Sequence, residues 1–249
     1  MTSDDSAFTA LWLRRFHARE ETTRFVVCFS HAGGSASYFF PFSAQMPGDV
    51  EVLAVQYPGR HDRYREEPFE TIEDFVEPIT AALRPYREHE LAFFGHSLGA
   101  LVGFEVARRL EEQGHTLTTF FASGRRAPST WRDERPETLT DEEFIAEIGK
   151  LNGTSSQVFA DQDLVRMVLP TLRSDYTAAA NYRVSPEKAL NSPVVAVVGD
   201  DDPKCSLTEA EAWSRHAGNH FDLRIFSGGH FYLDDHREDL IKLLAGAFS

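Results

Sequence analysis

Three places in the chain hold side chains suited to acyl chemistry. At 95–99 the sequence reads GHSLG, with Ser97 framed by Gly95 and Gly99. At 199–203 GDDDP sets Asp200, Asp201 and Asp202 in a row, and at 228–231 GGHF places His230 behind two glycines. A serine hydroxyl is a weak nucleophile alone. It attacks an acyl carbon when an imidazole takes its proton and a carboxylate fixes the tautomer of that imidazole. Serine, then acid, then histidine is the chain order in which one strand–helix architecture delivers those three groups.

Each residue also has a plainer reading. Ser97 is either a nucleophile or only the N-cap of the helix that follows. The strand-forming LAFFG before it and the apolar LGALVGF after it are the setting of a nucleophile elbow, where glycines let strand and helix approach closely. His230 follows the strand-like FDLRIF and stands out among the ten histidines. His216, His220 and His236 read as surface residues at element ends, and the His96 side chain is expected to point away from Ser97. Among the aspartates, Asp202 is favoured because Pro203 fixes the chain after it, with Asp201 as the alternative. A calcium site in the acidic run would need about six or more converging oxygens, and no such loop is evident.

An acyl-serine pathway needs two backbone N–H donors for the oxyanion. The residue after the nucleophile, Leu98, supplies one. FSHAGGSASYF, after an early strand, supplies the other at Ala32, with His31 and Gly33 as neighbours. Its glycines lack the G-K-[ST] or G-x-G-x-x-G of a phosphate loop.

The elements that must position these groups are legible as alternating patterns. RFVVCF (24–29), VEVLAVQ (50–56), ELAFFG (90–95), TTFFAS (118–123), SPVVAVVG (192–199) and FDLRIF (221–226) read as strands. Most are apolar throughout, as strands covered on both faces are. Helical patterns at 36–46, 71–85, 97–113, 206–217 and 235–247 lie between them, so the class is α/β with a mostly parallel, doubly wound sheet. From 124 to 191 no strand run occurs. That interval holds TDEEFIAEIGKL, with a capping box at Thr140 and Glu143, and DLVRMVLPTLRSDYTAAANYR, expected to kink or restart at Pro170. It is a candidate helical lid.

The 249 residues are 42% hydrophobic, enough for one large domain, and the formal net charge of −14 disfavours nucleic acid. Cys28 and Cys205 match no zinc spacing and read as free thiols. The opening MTSDDSAFTALWLRRF lacks the pattern of a secretory signal, and no apolar run reaches the ~18–20 residues of a membrane span, so a cytoplasmic protein is expected.

Four separated motifs, FSHAGGSASYF, QYPGR, FFGHSLGALVGFEVARRL and GGHFYL, together resemble the type II thioesterases, the editing enzymes that accompany polyketide synthases and nonribosomal peptide synthetases. LPTLRSDYTAAANYR and GDDDPKC…EAEAW extend the similarity over roughly residues 10–245. The resemblance implies an α/β-hydrolase core at 1–125 and 190–249, with a lid inserted at 126–189. It implies hydrolysis of acyl groups from the phosphopantetheine arm of carrier domains, without metal or organic cofactor. Its serine, acid and histidine fall on Ser97, Asp202 and His230, and its oxyanion donors on Ala32 and Leu98. Arg60 of QYPGR matches a family position for which the sequence suggests no more than loop anchoring. The chain has no D-S-[LIV] attachment serine, so the carrier is expected on another polypeptide.

Two other functions share these residues. A lipase or carboxylesterase acts on oxygen esters with the same triad, and a binding protein on a hydrolase scaffold would not act at all. Phe144, Phe159, Tyr176 and Tyr182 either line an acyl pocket or pack lid against core, the latter being commoner at helical spacing. Carrier domains are usually acidic, so docking on a chain at −14 calls for a local basic rim or apolar patch. Arg125, Arg126, Arg132 and Arg135 are the candidates, unless Asp133, Glu134 and Glu137 merely offset them in solvent.

Overall fold

The computed structural model describes residues 3–151 and 162–248. Seven strands form one sheet: β1 (Leu13–Arg14), β2 (Arg24–Phe29), β3 (Glu51–Val55), β4 (Glu90–His96), β5 (Thr119–Ser123), β6 (Val194–Gly199) and β7 (Phe221–Phe226). Their order is β1-β3-β2-β4-β5-β6-β7, with β1 antiparallel to β3 and every other neighbouring pair parallel. The chain leaves β2 towards β3 on one side and leaves β4 towards β5 on the other. The carboxyl ends of β2 and β4, paired through Phe29 and Gly95, therefore flank a topological switch point, where open α/β sheets place their ligands.

The apolar runs bury both faces, as their composition requires. Phe25, Val27 and Phe29 of β2 point into one core layer with Leu101, Phe104 and Ile79, while Val26 and Cys28 point into the other with Phe42, Leu240 and Leu244. Phe93 and Phe94 of β4 divide the same way. The helix Leu98–Glu112 follows β4 directly and buries Leu98 to Val102 on the sheet, so the turn between them has no freedom to drift. Burying each large apolar side chain of this kind contributes ~1.5–3 kcal/mol.

Between β5 and β6 the described residues contain no strand. They hold a short 3-10 turn, Pro136–Thr138, and the helices Asp141–Gly149 and Gln162–Asn181. The Thr140–Glu143 capping box is formed, with Glu143 N–H donating to Thr140 Oγ1 at 3.3 Å and Thr140 N–H to Glu143 Oε2 at 2.9 Å. Phe144, Ile148, Leu169 and Leu172 make a small apolar cluster of their own joining the two helices. Of the two expectations at Pro170, the restart is corrected. Gln162–Asn181 is one helix with the proline inside it, held on both sides of Pro170 by packing through Leu169 and Leu172.

The helix Ser3–Trp12 and strand β1 went unexpected. The helix Ser3–Trp12 leaves Phe8 and Leu11 exposed and buries Trp12, so its sequence lacks a clean apolar stripe. Strand β1 has only two residues, too few for any period. Cys28 and Cys205 are free and buried. Among the described residues no helix is long and apolar enough to cross a membrane.

Candidate active site

Ser97 is the single residue between β4 and the helix Leu98–Glu112, with φ 56° and ψ −114°, a left-sided backbone that a serine adopts only when its surroundings impose it. The imposition comes from two glycines. A Cβ on Gly95 would lie 2.2 Å from Gly99 O, and a Cβ on Gly99 would lie 2.1 Å from Phe29 O. Strand and helix meet backbone to backbone there, which is why the motif needs glycine at both places. The Ser97 N–H donates to Ser123 O at 2.8 Å, but its hydroxyl makes no capping bond to the helix. The N-cap reading of the side chain is thereby set aside.

His230 is buried, and its Nδ1 stands 3.0 Å from Oδ1 and 2.9 Å from Oδ2 of Asp202. Asp202 is buried too, and its Oδ1 also accepts the Lys204 N–H at 2.8 Å. Asp201 is exposed, and the exposed Asp200 accepts the Gly228 N–H at 2.8 Å. The three aspartates thus face different ways, and Asp202 alone among them meets the histidine.

His96 does point away from the serine. Its Nδ1 pairs with Ser123 Oγ at 2.9 Å, and that hydroxyl reaches Tyr232 OH at 2.7 Å. Burial, with His230 and His31 close by, holds its pKa well below the usual imidazole value, so the ring is neutral. Burial brings His31 to about 3, helped by His230 and Arg60. One surface reading is corrected: His216 is fully buried, its Nδ1 on Lys188 O at 2.6 Å and its Nε2 on Ser129 Oγ at 2.8 Å. The exposed His220 stays at the surface, and His236 is partly buried against Ser227.

Ala32 sits in a turn closed by the Gly34 N–H on His31 O at 2.9 Å, with Gly33 at φ 74°, the geometry a type II turn demands. Leu98 is the first residue of its helix, so its N–H has no intrahelical acceptor and lies at the positive end of the helix dipole. Ala32, Leu98, Ser97 and His230 all line one cavity of about 220 Å³, together with Phe144 and Tyr176.

The lid aromatics divide. Phe144 and Tyr176 line the cavity and contact each other edge-on at 5.2 Å between centroids. Tyr182 packs in the main core with its hydroxyl on Glu105, and Phe159 lies outside the described residues.

The four arginines weighed for a basic rim are each engaged within the chain. Arg125 is buried, lines the cavity and donates to Ala179 O at 2.8 Å, and burial brings its guanidinium down to about 9. Arg126 is buried against Glu134 at 2.6 Å. Arg132 is taken by Glu209, and Arg135 lies on Asp133 at 2.9 Å. The offset by Glu134 and Asp133 is present, but Arg125 and Arg126 are not solvated charges, because the chain turns inward at Ser123–Ala127 rather than running over the surface.

Arg60 acquires the role that sequence could not supply. Its guanidinium forms a buried fork on Asp175, NH1 to Oδ2 at 2.7 Å and NH2 to Oδ1 at 2.9 Å. Asp175, from the helix Gln162–Asn181, was not singled out in the sequence. No fixed spacing links it to 60, and only the fold brings them together.

A thioesterase domain family model matches residues 24–247. Thioesterase PikA5 of Streptomyces venezuelae is 50% identical over 229 residues, covering 91% of this chain and 82% of that protein. The solved structure of the type II thioesterase BorB from the borrelidin biosynthetic cluster has a TM-score of 0.89 at 43% identity, covering 96% of this chain and 98% of that one. That of YbtT, a type II thioesterase from the yersiniabactin NRPS/PKS biosynthetic pathway, has a TM-score of 0.84 at 28% identity, covering 96% of this chain and 100% of that one. A family match over most of the chain, and relatives this similar over nearly their whole length, make the assignment firm: the chain belongs to the thioesterase domain family, as a serine-type thioester hydrolase of the α/β-hydrolase fold.

Proposed function

We propose that the chain removes acyl groups, aberrant or stalled, from the phosphopantetheine thiol of carrier domains held on other polypeptides of polyketide or nonribosomal peptide assembly. Ser97 is the nucleophile, His230 the general base and Asp202 its partner. The Ala32 and Leu98 amides stabilise the oxyanion, and residues 126–189 act as a lid over the cavity. The observation that carries this reading is the buried His230–Asp202 contact, at 2.9 and 3.0 Å, opening into the cavity that Ser97 lines.

The chemistry runs in two halves. Nε2 of His230 takes the Ser97 proton as Oγ attacks the thioester carbon, and the carbonyl oxygen becomes an oxyanion on the two amides. Asp202 holds Nδ1–H and stabilises the imidazolium. Collapse expels the pantetheine sulfur, which needs little acid assistance and takes the proton of the His230 imidazolium as it departs, leaving an acyl-serine beside a neutral imidazole. His230 then deprotonates water for attack on that ester and returns a proton to Ser97 Oγ, releasing the acid.

The similarity to type II thioesterases of biosynthetic clusters supports the carrier-bound thioester over an oxygen ester. The test compares kcat/KM for acetyl and propionyl groups on a carrier domain, on free pantetheine and as matched oxygen esters. The reading expects the carrier thioester to be hydrolysed fastest. Oxygen esters turned over better than either thioester would replace it with the esterase reading.

A further inference from the structure

The buried Arg60–Asp175 pair does more than fasten the lid helix. Asp175 Oδ2, besides holding Arg60, accepts the Gly33 N–H at 2.7 Å. Gly33 is the third residue of the turn whose second residue is Ala32. Arg60 also donates to Pro58 O at 3.0 Å and Gly34 O at 3.4 Å, with its guanidinium 5.1 Å from the Tyr57 ring centroid. The same face of the helix adds Thr171, whose Oγ1 donates to Gly59 O at 2.7 Å. Leu172 lies so close to Gly33 that a Cβ there would come within 2.5 Å of its Cδ2. One turn further, Tyr176, Ala179 and Ala180 line the acyl cavity.

A type II turn can flip its central peptide, here the bond between Ala32 and Gly33, whenever nothing holds the N–H that points out of it. Asp175 holds that N–H. The carboxylate is in turn oriented by a fork of two parallel N–H bonds, the geometry that fixes a carboxylate in both position and plane. Both partners are more than nine-tenths buried, with Asp175 fully so, and water does not compete for them. We infer that Arg60 and Asp175 are positioning residues of the reaction: they lock the turn that presents the Ala32 N–H, so that the lid helix must be docked for the oxyanion hole to be complete. This rests on the functional reading above and adds a condition to it. Catalysis is competent only while the face formed by Thr171, Leu172 and Asp175 sits on the loops at 33–34 and 58–60.

Two paired substitutions separate positioning from mere packing. Arg60→Met with Asp175→Asn removes both charges but keeps an acceptor for the Gly33 N–H. Arg60→Met with Asp175→Leu removes the charges and the acceptor. Neither leaves a lone buried charge, the usual reason such variants unfold. With a short acyl-pantetheine thioester, the Asn pair should stay within about tenfold of wild-type kcat. The Leu pair should lose about 10²-fold in kcat, the scale of a compromised oxyanion donor, with KM within about threefold. Its affinity for a trifluoromethyl ketone analogue, which forms the oxyanion on Ser97, should fall in step. Equal kcat in the two folded pairs would overturn the inference. Arg60→Lys, which keeps the charge and the acceptor without the fork, provides a reading even if the Leu pair fails to fold: it should lower kcat about threefold to tenfold with KM unchanged, and wild-type kcat would overturn the inference. A wild-type protein inactive on thioesters would instead defeat the functional reading alone, since analogue affinity across the variants still reports the turn.

Discussion

Replacing Asp202 by asparagine changes one atom in a site whose hydrogen bonds are fully drawn. In the native protein Oδ1 accepts from Lys204 N–H at 2.8 Å, and both carboxylate oxygens lie about the His230 Nδ1 at 3.0 and 2.9 Å. An asparagine must keep its carbonyl on the Lys204 N–H, because that donor is fixed backbone. Its NH2 group is then turned to Nδ1, which has to become the acceptor. The imidazole proton moves to Nε2, and the ring can no longer take the proton of Ser97. Loss of the tautomer and of the stabilising charge costs ~10³–10⁴-fold in kcat, or ~4–5.5 kcal/mol of barrier. Asp201→Asn alters an exposed group, and Asp200→Asn keeps a carbonyl for the Gly228 N–H, so both should stay within about threefold of wild type. Steady-state release of thiol from an acyl-pantetheine, followed by a chromogenic disulfide, measures all three. Asp202→Asn within tenfold of wild type, or Asp201→Asn equally crippled, would refute the geometry on which the mechanism rests.

Gly99→Ala should be destabilising and slow together. Its Cβ would stand 2.1 Å from Phe29 O and 2.8 Å from Ser30 O, so the helix must shift and carry the Leu98 amide with it. A loss of ~1–3 kcal/mol in urea unfolding is expected, with kcat reduced at least tenfold; wild-type values in both would contradict this. Stability should also fall as the pH drops below 6.5. His96 is held neutral in the folded state but charges in the unfolded one, so the unfolded chain binds the extra proton, contributing up to ~1.4 kcal/mol per pH unit. A flat unfolding midpoint from pH 7 to pH 5, or a His96 ring protonated at pH 5 by NMR, would count against it. The thiols should be inert in the native state, because burial drives the Cys28 pKa up and that of Cys205 up to about 12. Rapid labelling by a disulfide reagent at pH 8 without denaturant would contradict this.

The sheet and the elbow were legible because their sequence signals are local. RFVVCF and LAFFG are apolar on both faces, and they form adjacent central strands. Gly95 and Gly99 announce a backbone contact that no other residue permits. The meeting of His230 with Asp202 was legible because each follows a strand in a glycine-bounded loop, and Pro203 helped point to Asp202. What failed lies in contacts between distant segments. Arg125 and Arg126 look like surface charges in SGRRAP, yet they turn inward to Ala179 O and Glu134. His216 at a helix end looks solvated until Lys188 and Ser129 close over it. Asp175 carries no signal at all within SDYTAAA. Its meaning arises from Arg60, 115 positions earlier, and from the Gly33 amide.

The central claim is that Ser97 carries the acyl group between thioester and water. It is tested most directly by rapid quench of the wild-type protein with a slowly deacylating acyl-pantetheine, followed by mass spectrometry of the intact chain and its peptides. The account predicts that one acyl mass is added, that it resides on the peptide bearing Ser97, that it decays at the rate of turnover, and that Ser97→Ala neither acquires it nor hydrolyses the substrate. Turnover with no acylated protein at any quench time, or acylation that persists in Ser97→Ala at the wild-type rate, would contradict it.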